Sequence, residues 1–166
     1  MDDRPEGQEA YWMGGRLIII RFAPPDGSDG PSITESWLRG GQGPEAICHR
    51  HADSLTYILS GNMTFKVDDR ISAHGPGEAV NTPRGTVHTY RVDSEEGARI
   101  LTISTPGYAW VDYVRAIGTP AGELTLPPAS FQPLDMAIVR RLAAANGFAF
   151  VGPRLPGAGR EGMKEG

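Results

Sequence analysis

The 166-residue chain has a single cysteine, no excess of basic residues and no long apolar run, and each shortage excludes a class of protein. Cys48 alone cannot form an internal disulfide, which is typical of a reducing compartment, so we predict a cytoplasmic protein. A formal net charge of −4 argues against a nucleic-acid or anionic-membrane partner, because both need clustered Lys and Arg. No stretch approaches the roughly 18 apolar residues of a membrane-spanning helix. We therefore expect neither nucleic acid nor membrane among the partners.

Glycine (22 residues) and proline (14) are abundant instead, which favours short elements joined by tight turns over a helical bundle. The length suits one domain. The two ends, 1–10 and 153–166, are polar or rich in Gly and Pro, so we predict disordered tails on either side of a domain spanning 11–152.

Short apolar segments alternate with turn residues through most of this domain. Strands are predicted at 11–12, 17–22, 33–38, 46–51, 54–59, 63–67, 78–82, 86–92 and 99–104. Two helices should follow, at 108–117 and at 135–146, the second capped by Asp135 and carrying an apolar stripe of Ile138, Val139 and Leu142. This order predicts an all-β sandwich or barrel with C-terminal helices as a cover.

Three histidines form the most informative pattern in the chain. His49 and His51 are separated by one residue, so in a strand both side chains would lie on the same face, opposite Cys48. His88 belongs to a later strand and could complete a site for one divalent metal ion, of which Fe, Ni, Mn, Zn and Cu all accept imidazole. By itself, a His-x-His pair is as consistent with ordinary surface or core histidines as it is with a metal site. The Pro-x-Gly-x-x-His segment that ends at His88 favours the metal site.

Both segments resemble the two motifs of the cupin superfamily. The first motif, G-x5-H-x-H-x3,4-E-x6-G, is matched at Gly43, His49, His51 and Gly61. The second, G-x5-P-x-G-x2-H-x3-N, is matched at Gly77, Pro83, Gly85 and His88. The chain is similar in particular to small one-domain cupins called quercetin-dioxygenase-like. The resemblance implies a double-stranded β-helix (jelly-roll barrel), metal ligands at His49, His51 and His88, and a homodimer.

The chain departs from the first motif at the metal-binding glutamate, because Ser54 stands at that position. Asp53 matches the non-ligand residue beside it and is not expected to replace the carboxylate. A neutral three-histidine site would hold a divalent cation more weakly and would leave a coordination position open to water or substrate. A pocket without metal is the alternative.

Candidate substrate-binding residues lie on the strands that carry the histidines. If a bulge at Ala52-Asp53 resets the alternation, residues 54, 56 and 58 face the interior, and residue 90 shares the face of His88. The candidates are Tyr90, Thr56, Ile58, Met63 and Phe65. Apart from Tyr90, whose phenol can donate to a substrate oxygen, these residues could equally be core packing, and for Phe65 we favour packing.

Three functions are consistent with this pattern. The first is a metal-dependent, quercetinase-like dioxygenase that acts on a small hydrophobic or aromatic, flavonol- or polyketide-like molecule. The second is a non-oxidative cyclase, isomerase or lyase in which the metal ion is a Lewis acid. The third is a cupin that binds a small molecule without turnover, and the fold cannot select among the three. For the homodimer, we expect Tyr11 and Trp12 on an N-terminal edge strand to form the contact.

Overall fold

A computed structural model describes residues 5–157, in which two antiparallel sheets face each other. The strands are β1 (Ala10–Met13), β2 (Arg16–Phe22), β3 (Ser32–Leu38), β4 (Ala46–His49), β5 (Asp53–Ser60), β6 (Met63–Val67), β7 (Arg70–His74), β8 (Ala79–Thr82), β9 (Val87–Val92), β10 (Ala98–Thr105), β11 (Thr119–Pro120) and β12 (Phe148–Gly152). The larger sheet has the order β11-β1-β2-β3-β10-β5-β8, and the smaller has the order β12-β4-β9-β6-β7. This is the predicted all-β double-stranded β-helix.

Strand alternation sets which side chains enter the space between the sheets. In β5, Ser54, Thr56 and Ile58 are buried, while Leu55 and Tyr57 between them are exposed. The period-two pattern predicted for this strand is therefore confirmed.

Two helices cover one end of the sheets, α1 (Tyr108–Ile117) and α2 (Met136–Ala145). As predicted, the Asp135 side chain caps α2, because its carboxylate accepts a hydrogen bond from the Ala137 backbone N–H at 2.7 Å. The predicted stripe is wrong in one member, since Ile138 is exposed and the helix instead buries Ala143 beside the partly buried Val139 and Leu142. Residues 139, 142 and 143 are spaced by three and four, so they share one helix face.

The sequence patterns missed β7, β11 and β12, and extended β4 too far. β12 pairs with β4 from Phe148 opposite His49 onward, whereas β4 ends at His49 and does not reach His51. No bulge carries the chain from β4 into β5. Residues 50–52 lie outside both strands.

Glu9 and Ala10, which the sequence assigned to a disordered tail of 1–10, are held in the domain. The Glu9 carbonyl accepts a hydrogen bond from the Ile20 N–H at 2.9 Å, and its carboxylate pairs with Arg115 on α1. The outer parts of both predicted tails, 1–4 and 158–166, lie outside the described residues. Within 5–157, neither helix is long and apolar enough to span a membrane.

Candidate ligand-binding site

Two cavities share part of their lining, and both are lined by residues of the two sheets and of the helices. The inner chamber has a volume of about 90 Å³ and is lined by His49, His88, Ser54, Thr56, Phe65, Trp110 and Phe148, among others. The outer chamber has a volume of about 990 Å³ and is lined largely by loop residues, including Pro127, Pro128 and Phe131. Five residues, which we call the neck, line both chambers: Arg16, Pro44, Tyr90, Tyr113 and Phe150.

The pairing of β4 with β9 brings two of the three predicted histidines together. Ile47 lies opposite His88 in this pairing, and His49 is the last residue of β4. The two imidazole rings stack with centroids 5.2 Å apart and planes inclined at 25°. Phe148 from β12 places its ring edge-on to His49 at 4.5 Å.

Both rings are neutral near pH 7. Burial, reinforced by the neighbouring His88, lowers the pKa of His49 to about 3. Burial also lowers the pKa of His88, although the Thr86 backbone and the negative charge of Asp68 oppose this shift. The Nδ1 atom of His49 is buried and has no hydrogen-bond partner among the described residues. A neutral imidazole both donates and accepts a hydrogen bond, so the hydrogen-bonding capacity of His49 is not fully used within the described residues.

The structure does not bring His51 to this site. Its side chain is exposed, lines neither chamber, and lies beside Gly147 in the turn between α2 and β12. β4 ends at His49, and just beyond it the Arg50 N–H donates to the Gly147 carbonyl at 3.0 Å while the His49 carbonyl accepts from the Gly85 N–H at 2.8 Å. The predicted convergence of three histidines assumed that strand alternation continues to residue 51, and β4 ends before it.

The described residues therefore do not fit the three-histidine metal ion that the resemblance implies. Metal centres of this kind need three protein ligands or more, and residues 5–157 contain no cluster of three His, Cys, Asp or Glu side chains placed to hold one. His49 and His88 could supply two imidazoles. Ser54, at the position of the missing glutamate, faces the inner chamber and shares a hydrogen bond with Ser104, with 3.2 Å between the two Oγ atoms.

Three of the five candidate substrate-binding residues line the inner chamber, and two do not. Thr56, Phe65 and Tyr90 are part of its wall. Ile58 and Met63 have no exposed surface and belong to a core cluster that also includes Phe65, so they pack the barrel and do not line the cavity. All five side chains are on inward-facing strand positions, but Ile58 and Met63 lie in the packed core and not beside the cavity, unlike Thr56, Phe65 and Tyr90.

Residues that no sequence motif marked complete the site. Trp110 and Tyr113 come from α1, Phe148 and Phe150 from β12, and Arg16 from the start of β2. The Phe-x-Phe spacing after Asn146-Gly147 is a strand signal that could have identified the two phenylalanines. Nothing in the sequence around Arg16 distinguishes it from a surface arginine.

Asp53 lies outside the site, as its position in the motif implied. Its carboxylate accepts hydrogen bonds from the backbone and guanidinium of Arg84, at 2.9 and 2.7 Å for the closest contacts, and Arg84 lowers the pKa of this carboxyl to about 2. Cys48 does not line either chamber.

Comparison with known proteins agrees with this fold. The cupin-domain family profile matches residues 35–104. The chain is 30% identical over 131 residues to a quercetin 2,3-dioxygenase of Bacillus subtilis, a match that spans 72% of this chain and 38% of that relative. These findings and the two-sheet architecture make the chain a member of the cupin superfamily.

Solved cupin structures superpose on the central part of the chain. An RmlC-like cupin from Shewanella frigidimarina has a TM-score of 0.52 at 16% identity, covering 64% of this chain and 90% of its own. A predicted oxalate decarboxylase from Thermotoga maritima has a TM-score of 0.53 at 15% identity, covering 59% and 90%. At such low identity the likeness shows the fold and does not indicate the activity.

Proposed function

We propose that this cupin binds a small, flat, largely apolar molecule whose polar end lies against His49 and His88. The observation that carries the proposal is a pair of neutral imidazoles, His49 buried and His88 partly buried, in the wall of a mostly apolar cavity. His49 lines the inner chamber, and removing one partner of a hydrogen bond buried there costs about 1–3 kcal/mol, so a bond from His49 to a ligand hydroxyl or carbonyl would contribute measurably to binding.

The lining of the chambers favours an aromatic ligand. Phe65, Trp110 and Phe148 surround the inner chamber with ring faces and edges. The outer chamber, at about 990 Å³, has the volume of an ordinary small-molecule site, which is about 300–1,000 Å³ and mostly apolar with a few placed polar groups, whereas the inner chamber, at about 90 Å³, has room only for one end of such a molecule. A flavonol-like phenol matches both requirements, since its rings are flat and its hydroxyl can donate to a neutral imidazole or accept from it.

A matched pair of variants tests the proposal by calorimetric titration with a flavonol. His49→Phe removes the imidazole from the inner chamber, and His51→Phe makes the same change on the surface. We expect binding to weaken at least about tenfold in the first variant, as loss of a buried hydrogen bond implies, and to stay unchanged in the second. Equal losses in both variants would contradict the proposal.

A second candidate is the metal-dependent, quercetinase-like dioxygenase, which the similarity to a quercetin 2,3-dioxygenase favours. It requires His51 to join His49 and His88 as a ligand. Elemental analysis of protein purified without a histidine tag tests it: a three-histidine site predicts stoichiometric metal that both His49→Ala and His51→Ala lose and that Cys48→Ala keeps. Oxygen consumption with the flavonol would then separate a dioxygenase from a cyclase, isomerase or lyase.

A homodimer stays a prediction, but Tyr11 and Trp12 are engaged within one chain. The Tyr11 hydroxyl donates to the Glu9 carboxylate at 2.7 Å, and the Trp12 Nε1–H donates to the Thr125 carbonyl at 2.8 Å. β1 is also paired with β11. We therefore propose a dimer contact on another surface, which size-exclusion chromatography with light scattering tests: a dimer would keep its mass in Tyr11→Phe, and a monomeric parent would contradict the prediction.

A further inference from the structure

Arg16 belongs to the neck, the group of residues that lines both the outer and the inner chamber. It is the first residue of β2 and lies opposite Met13 across the β1–β2 turn. Its Nη1–H donates to the Tyr90 hydroxyl at 2.7 Å. Because Tyr90 accepts this bond, its own O–H proton stays available to a ligand.

The guanidinium of Arg16 has donors that nothing in the described part of the chain uses. Its Nε is buried without a hydrogen-bond partner, and it forms no ion pair with a carboxylate among residues 5–157. Most arginines outside the chambers differ in this respect, and the three described ones that have no carboxylate partner, Arg50, Arg70 and Arg141, are exposed to solvent. Those paired with a carboxylate are Arg21, Arg84, Arg91, Arg99, Arg115 and Arg140. A half-buried positive charge without a counter-ion is costly, and an anion placed beside it removes that cost.

The surroundings of Arg16 add positive charge. Arg39 and Arg154 also line the outer chamber, whereas its acidic lining residue, Glu45, is already paired with Arg140 at 2.7 Å. The chamber is thus cationic in a protein whose formal net charge is −4. Focusing of positive potential in a concave, low-dielectric site raises the local concentration of anionic ligands.

We propose that Arg16 selects ligands that carry a carboxylate next to the aromatic body, and that it binds this carboxylate at the neck. The planar guanidinium fork matches the two oxygens of a carboxylate, and Nη1 is engaged with Tyr90, so the edge formed by Nε and Nη2 is the one available after a small rotation of the side chain. The inference rests on the proposed function, since the aromatic body must enter the same chambers.

Two probes of nearly the same shape, one charged and one neutral, separate the proposed role of Arg16 from the proposed binding of an aromatic molecule. 2-Naphthoic acid is an anion at pH 7, and 2-naphthamide is a neutral molecule of nearly the same shape. Titration of the unmodified protein should show about tenfold or more tighter binding of the acid, because hydrogen bonds to charged groups are stronger than neutral ones. Equal affinities would overturn the role of Arg16 and leave the proposed binding intact, whereas binding of neither probe would overturn both.

Variants of Arg16 then test whether this residue causes the preference for the acid over the amide. Arg16→Gln should reduce the acid-to-amide preference towards one, Arg16→Lys should keep part of it through the charge alone, and the exposed Arg70→Gln should leave it unchanged. Amide binding that persists in Arg16→Gln would show that the variant is folded with an open chamber. An undiminished preference in Arg16→Gln would refute the assignment.

Discussion

His49 and His51 are two residues apart and have opposite surroundings. His49 is 7% exposed, stacked on His88 and enclosed by aromatic rings at the end of the inner chamber. His51 is on the surface beside the turn between α2 and β12. We call the first region the interior site and the second the surface junction.

The difference teaches that a shared face requires an uninterrupted strand. Alternation orients side chains only while the backbone stays extended and paired, and the pairing of β4 with β12 begins at Phe148 opposite His49. Beyond this point, the Arg50 N–H bonds to the Gly147 carbonyl, which belongs to the turn before β12 and not to a strand. The strand β12, which is about a hundred residues further along the chain, thus decides that His49 and not His51 enters the barrel.

The largest expected effect is on the interior site. Phe148→Ala should cost about 3–5 kcal/mol of unfolding free energy, because the buried ring packs on His49, Trp110 and Tyr113. Val151→Ala, an exposed position in the same strand, should change the free energy by less than about 1 kcal/mol. Urea unfolding measures both. Similar costs at the two positions would mean that β12 does not enclose the interior site.

The second prediction concerns stability between pH 6.5 and 5. The pKa of His49, about 3 in the folded protein, lies below the ordinary value of about 6.5, so the unfolded chain binds more protons in this window. Stability therefore rises with pH there and falls on acidification, by up to about 1.4 kcal/mol per pH unit for each such histidine. The lowered pKa of His88 acts with the same sign.

Unfolding in urea at a series of pH values measures this slope. His49→Phe should make it shallower by about one proton, because Phe does not titrate. A slope equal to that of the parent would mean that His49 is not buried as a neutral ring.

A third, smaller effect is expected at the surface junction. Gly147 has a φ of +78°, and an added Cβ would approach the Cδ2 atom of His51 to 2.9 Å. Gly147→Ala should therefore cost about 1–2 kcal/mol for the left-handed backbone, and an additional amount for displacing the His51 ring. Gly14 has a φ of +59°, and an added Cβ there would meet no atom within 4 Å. Gly14→Ala should therefore lose only the free energy of the left-handed backbone.

Thermal unfolding of the two glycine variants gives the contribution of the His51 contact as their difference. We expect Gly147→Ala to be the less stable of the two, with ligand affinity unchanged. Weakened ligand binding in Gly147→Ala would mean that the surface junction is part of the functional site. His51 and His49 would then not differ in function as proposed.

The smallest expected effect is at Asp53, which pairs with Arg84 on the exposed side of the junction. Asp53→Asn should leave ligand affinity and metal content unchanged, because solvent screens an exposed ion pair and the carboxylate is outside both chambers. Elemental analysis and calorimetry check this expectation. Loss of bound metal in Asp53→Asn would show that this carboxylate replaces the glutamate missing at Ser54.

Much of the fold and some residues of the site, including the two histidines of the inner chamber, could be predicted from local sequence patterns. Residues 108–117 have helical spacing and form α1, Asp135 has a capping side chain and caps α2, and the alternation from Ser54 to Ile58 matches β5. His49 and His88 were identified by motif spacing and meet in the inner chamber. Arg16, Trp110 and Phe148 were not identified, because nothing local shows that the start of β2, α1 and β12 line one cavity.

The sequence by itself determined an all-β domain with C-terminal helices, because turn residues, strand periodicity and helix caps are local features that each segment carries alone, and the resemblance of its two histidine segments to the cupin motifs implied the double-stranded β-helix. It also predicted that histidines on two strands share a site, and His49 and His88 line the same chamber. Only the tertiary structure decided that His49 is inside and His51 outside, that Ile58 and Met63 are core, and that an arginine with no carboxylate partner among residues 5–157 lies at the neck. These outcomes depend on contacts between segments far apart in the chain, such as β4 with β12 and Arg16 with Tyr90, and burial is a property of those contacts and not of residue type or spacing.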